Sequence, residues 1–313
     1  MSEKPPVQIV LCPGQGAQFV GMGKAWADQF KVAADTFEEA DSLLGFPLSK
    51  LCFEGDEATL NRTDNAQAAI YVTSVACYRA LNEIGEIGKV AATAGLSLGE
   101  FTALHLAGAF DFANGLSLVR LRGQAMQDAA EASSSSMVAL VGADENQANE
   151  LCERALSQGV ADDSVLVPAN FNCPGQIVVS GSKDACERAV AVAEEMELRA
   201  TALAVAGAFH SPLMKPAADR LADALKKIEW DALRCPVLSN VTGTAHDGDV
   251  KVIRQRLVEQ LTSPVRWSSS MEWAISNLPG SFIEMAPGKV FSGLMRRIDR
   301  GTKVKNHANP PKA

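Results

Sequence analysis

The chain has 313 residues, is 47% hydrophobic and carries a formal net charge of −8. That length supplies a large core with room for a further subdomain, and the acidic balance disfavours nucleic acid, whose phosphates call for a basic surface. The seven cysteines form no C-x-x-C pair, which argues against a zinc site and for reduced thiols, and no apolar run approaches membrane-spanning length.

The start, Met1 to Pro6, is short and polar and lacks a signal-peptide pattern, so a cytoplasmic protein without a membrane partner is expected. Residues 7–11 read as an apolar strand ending in Pro13-Gly14-Gln15-Gly16-Ala17-Gln18, which leads through Gly21 and Gly23 into a helix over 24–30. This loop lacks both the G-x-G-x-x-G spacing and the Lys-Ser/Thr end of a phosphate loop, so a nucleotide site is not indicated. Helices are predicted over 33–44 and 66–84, the second with Asp64-Asn65 as caps, before a strand at 90–94. That strand runs into Gly95-Leu96-Ser97-Leu98-Gly99-Glu100. Glycines flank the serine because a strand turning sharply into a helix leaves no room for side chains there, and the serine Oγ is thrust out above the sheet. The helix starting at the turn aims free N–H groups at the same point. An ordinary glycine-rich turn would use the same residues, so the elbow alone does not establish acyl transfer.

Residues 112–131 have helical periodicity, with Leu116, Val119, Met126 and Ala130 on the buried face; the helix carries Arg122, whose ordinary role would be a surface ion pair. At Ser133-Ser134-Ser135-Ser136 the pattern changes and a boundary is placed. Strand 137–142, helix 145–157, strands 164–170 and 176–180, helix 183–196 and strand 199–205 follow in βαββαβ order, the ferredoxin-like split unit. The stretch Asn170-Phe171-Asn172-Cys173-Pro174-Gly175-Gln176 is expected as an amide-rich turn walling a cleft. After Gly207-Ala208-Phe209-His210-Ser211-Pro212 come helix 213–228, strand 236–241, helices 250–261 and 267–277, strand 281–285, the Pro287-Gly288 turn and helix 290–298. Strands alternating with helices imply a mostly parallel sheet covered on both faces, with ligands at the carboxyl ends of its strands. The expected fold is therefore α/β: a large α/β-hydrolase-like domain, 1–132 and 207–313, with an inserted small ferredoxin-like subdomain, 133–206.

A serine hydroxyl is a weak nucleophile at neutral pH and needs a base. His105 lies about 12 Å along the same helix, at ~1.5 Å per residue, and cannot reach back. His246 falls in a polar turn and His307 in the basic tail, which leaves His210, at the junction where the small domain returns the chain. A packed or capping histidine is the alternative there. No acid stands out as a third member, and a neutral acceptor can orient the second ring nitrogen equally well.

Six stretches, taken in order, resemble the motifs of the malonyl-CoA:acyl carrier protein transacylases and the related acyltransferase domains of fatty acid and polyketide synthases. They are the Gln15 loop, the Ser97 elbow, Arg122-Gly123-Gln124-Ala125-Met126-Gln127, the Asn170–Gln176 stretch, Gly207-Ala208-Phe209-His210 and Pro264-Val265-Arg266-Trp267. The resemblance covers essentially the whole chain. It implies that Ser97 carries the acyl group, that His210 is its base, and that backbone N–H groups of Gln15 and Leu98 form the oxyanion hole. It assigns Arg122 to the free carboxylate of malonyl, which a planar guanidinium holds with two parallel hydrogen bonds. A main-chain oxygen near Gln260 would orient His210, and Asn170 and Asn172 would line the cleft. Leu96 stands where this family often has histidine. The implied activity is ping-pong transfer of malonyl from malonyl-CoA to acyl carrier protein in fatty acid biosynthesis, by a monomer, with the CoA thioester as substrate and no cofactor or metal. A polyketide acyltransferase, a serine thioesterase or esterase, and an idle carrier-docking subunit are the alternatives. The basic end, with Lys289, Arg296, Arg297, Arg300, Lys303 and Lys305, is expected to receive an acidic carrier protein.

Overall fold

The computed structural model describes residues 6–157 and 159–312, so all but Pro6 of the polar start lies outside the described residues. In chain order, β1 (Gln8–Cys12) leads into α1 (Lys24–Gln29), α2 (Lys31–Leu44), α3 (Leu48–Glu54), α4 (Glu57–Asn61) and α5 (Thr63–Glu83), then β2 (Val90–Gly95), α6 (Leu98–Leu106) and α7 (Phe112–Glu131). A second unit follows: β3 (Ser135–Val141), α8 (Glu145–Leu156), β4 (Leu166–Cys173), β5 (Gln176–Ser182), α9 (Lys183–Glu195) and β6 (Arg199–Ala202). The chain closes with a 3₁₀ turn at Pro212–Met214, then α10 (Lys215–Leu225), α11 (Val250–Glu259), α12 (Trp267–Asn277), β7 (Ser281–Met285), α13 (Phe291–Ile298) and β8 (Val304–His307).

One sheet has the order β2-β1-β7-β8, with every pair parallel. β1 is buried at every position, as a central parallel strand covered on both faces must be. Its side chains alternate: Val10 and Cys12 join the core beneath α5 and α7, while Ile9 and Leu11 pack with Trp267 and Phe291 on the other face. α5 is rich in alanine, and Ala66, Ala68, Ala69, Ala76 and Ala80 have no exposed surface. Such small side chains let it lie close between the sheet and α7. The second sheet has the order β4-β5-β3-β6 and is wholly antiparallel. It carries its own core, including Val138, Leu140, Leu151, Val179 and Val192, beneath α8 and α9. The two units are stitched at the free edge of β4, where Phe171 N–H donates to Val265 O and Val265 N–H to Ala169 O, each at 2.8 Å.

Several local expectations need correction. α5 begins at Thr63, so Asp64 and Asn65 lie in its first turn and do not cap it. The distant Gln127 Oε1 accepts from Thr63 N–H at 3.0 Å and lets the helix start early. Residues 236–241 form no strand: Val237 bridges Thr93 and Leu238 bridges Ala245 before the chain turns away. Asn170 to Cys173 lie on β4 and Gln176 on β5, so the expected turn shrinks to Pro174-Gly175, with Gly175 at φ 71°. β8 was not expected, because an edge strand can be as polar as Val304-Lys305-Asn306-His307. It places His307 on a buried strand end and not in a solvated tail.

Candidate active site

β1 and β2 end side by side, with Cys12 opposite Gly95, so the Gln15 loop and the Ser97 turn open at the same edge of the sheet. Close approach explains the glycines. A Cβ on Gly99 would collide with the Cys12 carbonyl oxygen, and one on Gly14 with that of Leu96. Ser97 sits at φ 53°, ψ −104°, a conformation that costs a non-glycine residue about 1–3 kcal/mol unless its surroundings hold it. Asn240 supplies the hold: its Oδ1 accepts from Ser97 N–H at 2.6 Å and its Nδ2 donates to Gly95 O at 2.7 Å. At the start of α6, Gly99 N–H donates to Leu96 O and Glu100 N–H to Ser97 O. Among the described residues, the N–H groups of Leu98 and Gln15 have no acceptor.

Ser97 Oγ lies 2.8 Å from His210 Nε2, and His210 Nδ1 lies 2.7 Å from Gln260 O. A carbonyl oxygen only accepts, so Nδ1 carries the proton and Nε2 offers its lone pair to the serine hydroxyl. His210 also has positive φ, at 57°. Burial and then the nearby Arg122 charge push its imidazole down to about 4, with the Gln260 carbonyl pulling the other way. The ring is neutral at pH 7 and fit to accept a proton.

Arg122 has no exposed surface and makes no surface ion pair. Its Nη1 donates to Gln67 Oε1 at 2.7 Å, its Nη2 to Ser97 Oγ and Gln260 Oε1 at 2.9 Å each, and its Nε has no partner among the described residues. The guanidinium lies 5.4 Å from the Phe101 ring centroid. Burial pushes it down to about 9, opposed by the Glu100 carboxylate, which leaves it charged at neutral pH. Behind it, Glu100 Oε2 accepts from Asn240 N–H at 3.1 Å and Gln260 Nε2 at 2.7 Å, while Oε1 meets His246 Nε2 at 2.8 Å.

These groups border a cleft of about 400 Å³ between the two units. Ser97, His210, Gln15, Leu96, Asn170 and Asn172 line it; both asparagines come from β4, Asn172 from the point where its register against β5 shifts. Leu98, Arg122 and Gln260 lie fully buried behind the wall. Asn240, Glu100 and His246 were not anticipated as site residues. Glu100 offered the one readable signal, an acid in the first turn of a helix with no other charged residue from Leu98 to Leu104. Among the described residues, no three His, Cys, Asp or Glu side chains are grouped to hold a metal ion, and no helix is long and apolar enough to cross a membrane.

The family model for the acyl transferase domain matches residues 9–309. The malonyl CoA-acyl carrier protein transacylase of Bacillus subtilis is 41% identical over 295 residues, which are 94% of this chain and 91% of that protein. Among solved structures, an acyl carrier protein S-malonyltransferase from Vibrio cholerae superposes with a TM-score of 0.91 at 40% identity, covering 97% of each chain. A malonyl-transacylase in complex with its type II PKS acyl-carrier protein gives a TM-score of 0.91 at 37% identity, covering 97% of this chain and 96% of that one.

Proposed function

The chain belongs to the acyl transferase family, and from that membership we propose that it moves the malonyl group of malonyl-CoA to the phosphopantetheine thiol of acyl carrier protein in fatty acid biosynthesis. It is an acyltransferase. The observation that carries the mechanism is the unbroken line from Arg122 Nη2 to Ser97 Oγ to His210 Nε2, with His210 Nδ1 on Gln260 O. Ser97 Oγ attacks the thioester carbon while its proton passes to His210 Nε2. The developing oxyanion meets the N–H groups of Gln15 and Leu98, each such donor being worth about 3 kcal/mol. CoA leaves as the thiol, with the proton from His210, and the carrier thiol then repeats the sequence in reverse on the seryl ester.

The orphaned Nε of Arg122 supports its assignment to the malonyl carboxylate. A buried donor without an acceptor is uncommon, and Nε shares one edge of the guanidinium with Nη2, the edge that grips a carboxylate side-on. Acylation makes Ser97 Oγ a poorer acceptor and frees Nη2 for that grip. Asn170 and Asn172 then line the path of the thioester.

The strand order of the small unit, second-third-first-fourth along the chain and antiparallel throughout, supports reading 133–206 as an inserted ferredoxin-like subdomain. The parallel sheet with a serine at its strand–helix turn supports an α/β-hydrolase-like reading of 1–132 and 207–313. All seven cysteines are free and six are buried, which fits a cytoplasmic location; a monomer suffices, since one chain supplies every group used, and the thioester needs no cofactor. α13, with Arg296 and Arg297, and Val290 stand beside the cleft, which supports the basic end as the carrier's landing surface. The test is to mix the protein with malonyl-CoA and holo carrier protein and identify products by mass: malonyl-carrier is expected, whereas free malonate as the main product would assign a thioesterase.

A further inference from the structure

Arg122 is a wholly buried cation whose hydrogen-bond and ring partners among the described residues are all neutral: Gln67, Ser97, Gln260 and the Phe101 ring. A charge taken out of water without a counter-charge is strongly unfavourable. The nearest compensation is one side chain removed. Gln260 Oε1 accepts from Arg122 Nη2 at 2.9 Å, and the same amide's Nε2 donates to Glu100 Oε2 at 2.7 Å. The amide dipole is thus held with its oxygen toward the cation and its nitrogen toward the anion. Gln260 Nε2 also donates to Ser97 O at 3.1 Å, so it cannot turn over without losing three bonds. Glu100 is 1% exposed, and its other partners are Asn240 N–H and His246 Nε2. Among the described residues His246 Nδ1 has no partner, and a carboxylate oxygen only accepts, so Nε2 carries the proton that is donated to it.

We propose that Glu100 is the resident counter-charge of Arg122, coupled to it through the Gln260 amide, and that it weakens the grip of Arg122 on a substrate carboxylate so that malonyl is held but released. This rests on the reading of Arg122 as the carboxylate site. Glu100 touches no substrate; it is a positioning residue that tunes one that does. Glu100→Gln keeps the size and can keep the hydrogen bonds, its amide oxygen accepting from Asn240 and Gln260 and its nitrogen donating to the other tautomer of His246. The charge alone is lost, and Arg122 should then bind an incoming carboxylate more tightly.

The experiment measures Kd for malonyl-CoA and acetyl-CoA by calorimetry in the non-reacting Ser97→Ala background, with and without Glu100→Gln. Malonyl-CoA is expected to bind about thirtyfold tighter, the scale of a unit charge at roughly 8 Å in an effective dielectric of about 20. Acetyl-CoA, which has no carboxylate, should stay within about twofold, as an uncoupled site does. Equal changes in both, or weaker malonyl binding, would overturn the proposal. If Ser97→Ala/Arg122→Ala keeps the same malonyl-to-acetyl ratio as Ser97→Ala, the Arg122 reading fails by itself, whatever Glu100→Gln does. Should Glu100→Gln not fold by circular dichroism, Gln260→Met decides: it cuts the relay but keeps the main-chain oxygen for His210, and malonyl-specific tightening is again expected, with equal changes refuting it.

Discussion

Acid should disable this enzyme at a pH set by His210 rather than by an ordinary histidine. Burial and the charge of Arg122 push the imidazole from 6.5 to about 4, and only the neutral ring can take the Ser97 proton. The rate of Ser97 acylation by malonyl-CoA should therefore be flat from pH 8 to about 5, halve near pH 4 and fall about tenfold per unit below that. Stability moves in a higher window. The unfolded chain binds a proton at His210 near pH 6.5 and the folded one only near 4, so this contribution is complete above 6.5 and is lost as pH falls toward 4. That shift corresponds to about 3 kcal/mol. His307, pushed down to about 4 by burial and then Lys305, adds to the loss. The assay must outrun unfolding: enzyme held at pH 7 is jumped to the test pH in a rapid-quench instrument and the seryl ester is counted within milliseconds. A midpoint near 6.5 in the acylation rate, or the same profile in His210→Ala, would refute the reasoning.

Arg122→Ala should lose malonyl loading by about 10²-fold, the scale of a charged hydrogen-bonded pair, while acetyl loading persists; equal loss of both, measured as seryl ester from each thioester, would make Arg122 structural. Gly99→Ala drives a Cβ into the Cys12 carbonyl and should destabilise the fold by about 3 kcal/mol or more in urea unfolding; an unchanged midpoint would contradict the close approach of α6 to β1. Reversing charge in Arg296→Glu/Arg297→Glu should raise KM for carrier protein by about tenfold at low salt, with the difference fading as salt screens it. An unchanged KM would place the landing surface elsewhere.

The parallel sheet was legible because burial on both faces makes β1 apolar from Ile9 to Cys12, and α7 because Leu116, Val119, Met126 and Ala130 recur at helical spacing on a buried face. Polar edges hid what lay outside: β8 is four residues long with Val304 its one apolar side chain, and residues 236–241 pair at two points only. At the site, Ser97 showed through its glycines, which sterics demand, and His210 by the poor placement of the other histidines. The resemblance placed the acceptor for His210 near Gln260, and the contact is made by its main-chain oxygen, a group that every residue type carries. The Glu100 hub stayed hidden because its partners Asn240, His246 and Gln260 come from more than a hundred residues downstream. A polar turn around His246 reads as solvated until the fold buries it.

The central claim, that Ser97 carries the malonyl group between two thiols, is tested most directly by intact-mass and peptide analysis after brief exposure to malonyl-CoA. One malonyl group on the Ser97 peptide, lost again on adding holo carrier protein and absent in Ser97→Ala, is the result expected. A chain that stays unmodified, or a Ser97→Ala variant that labels equally, would contradict it.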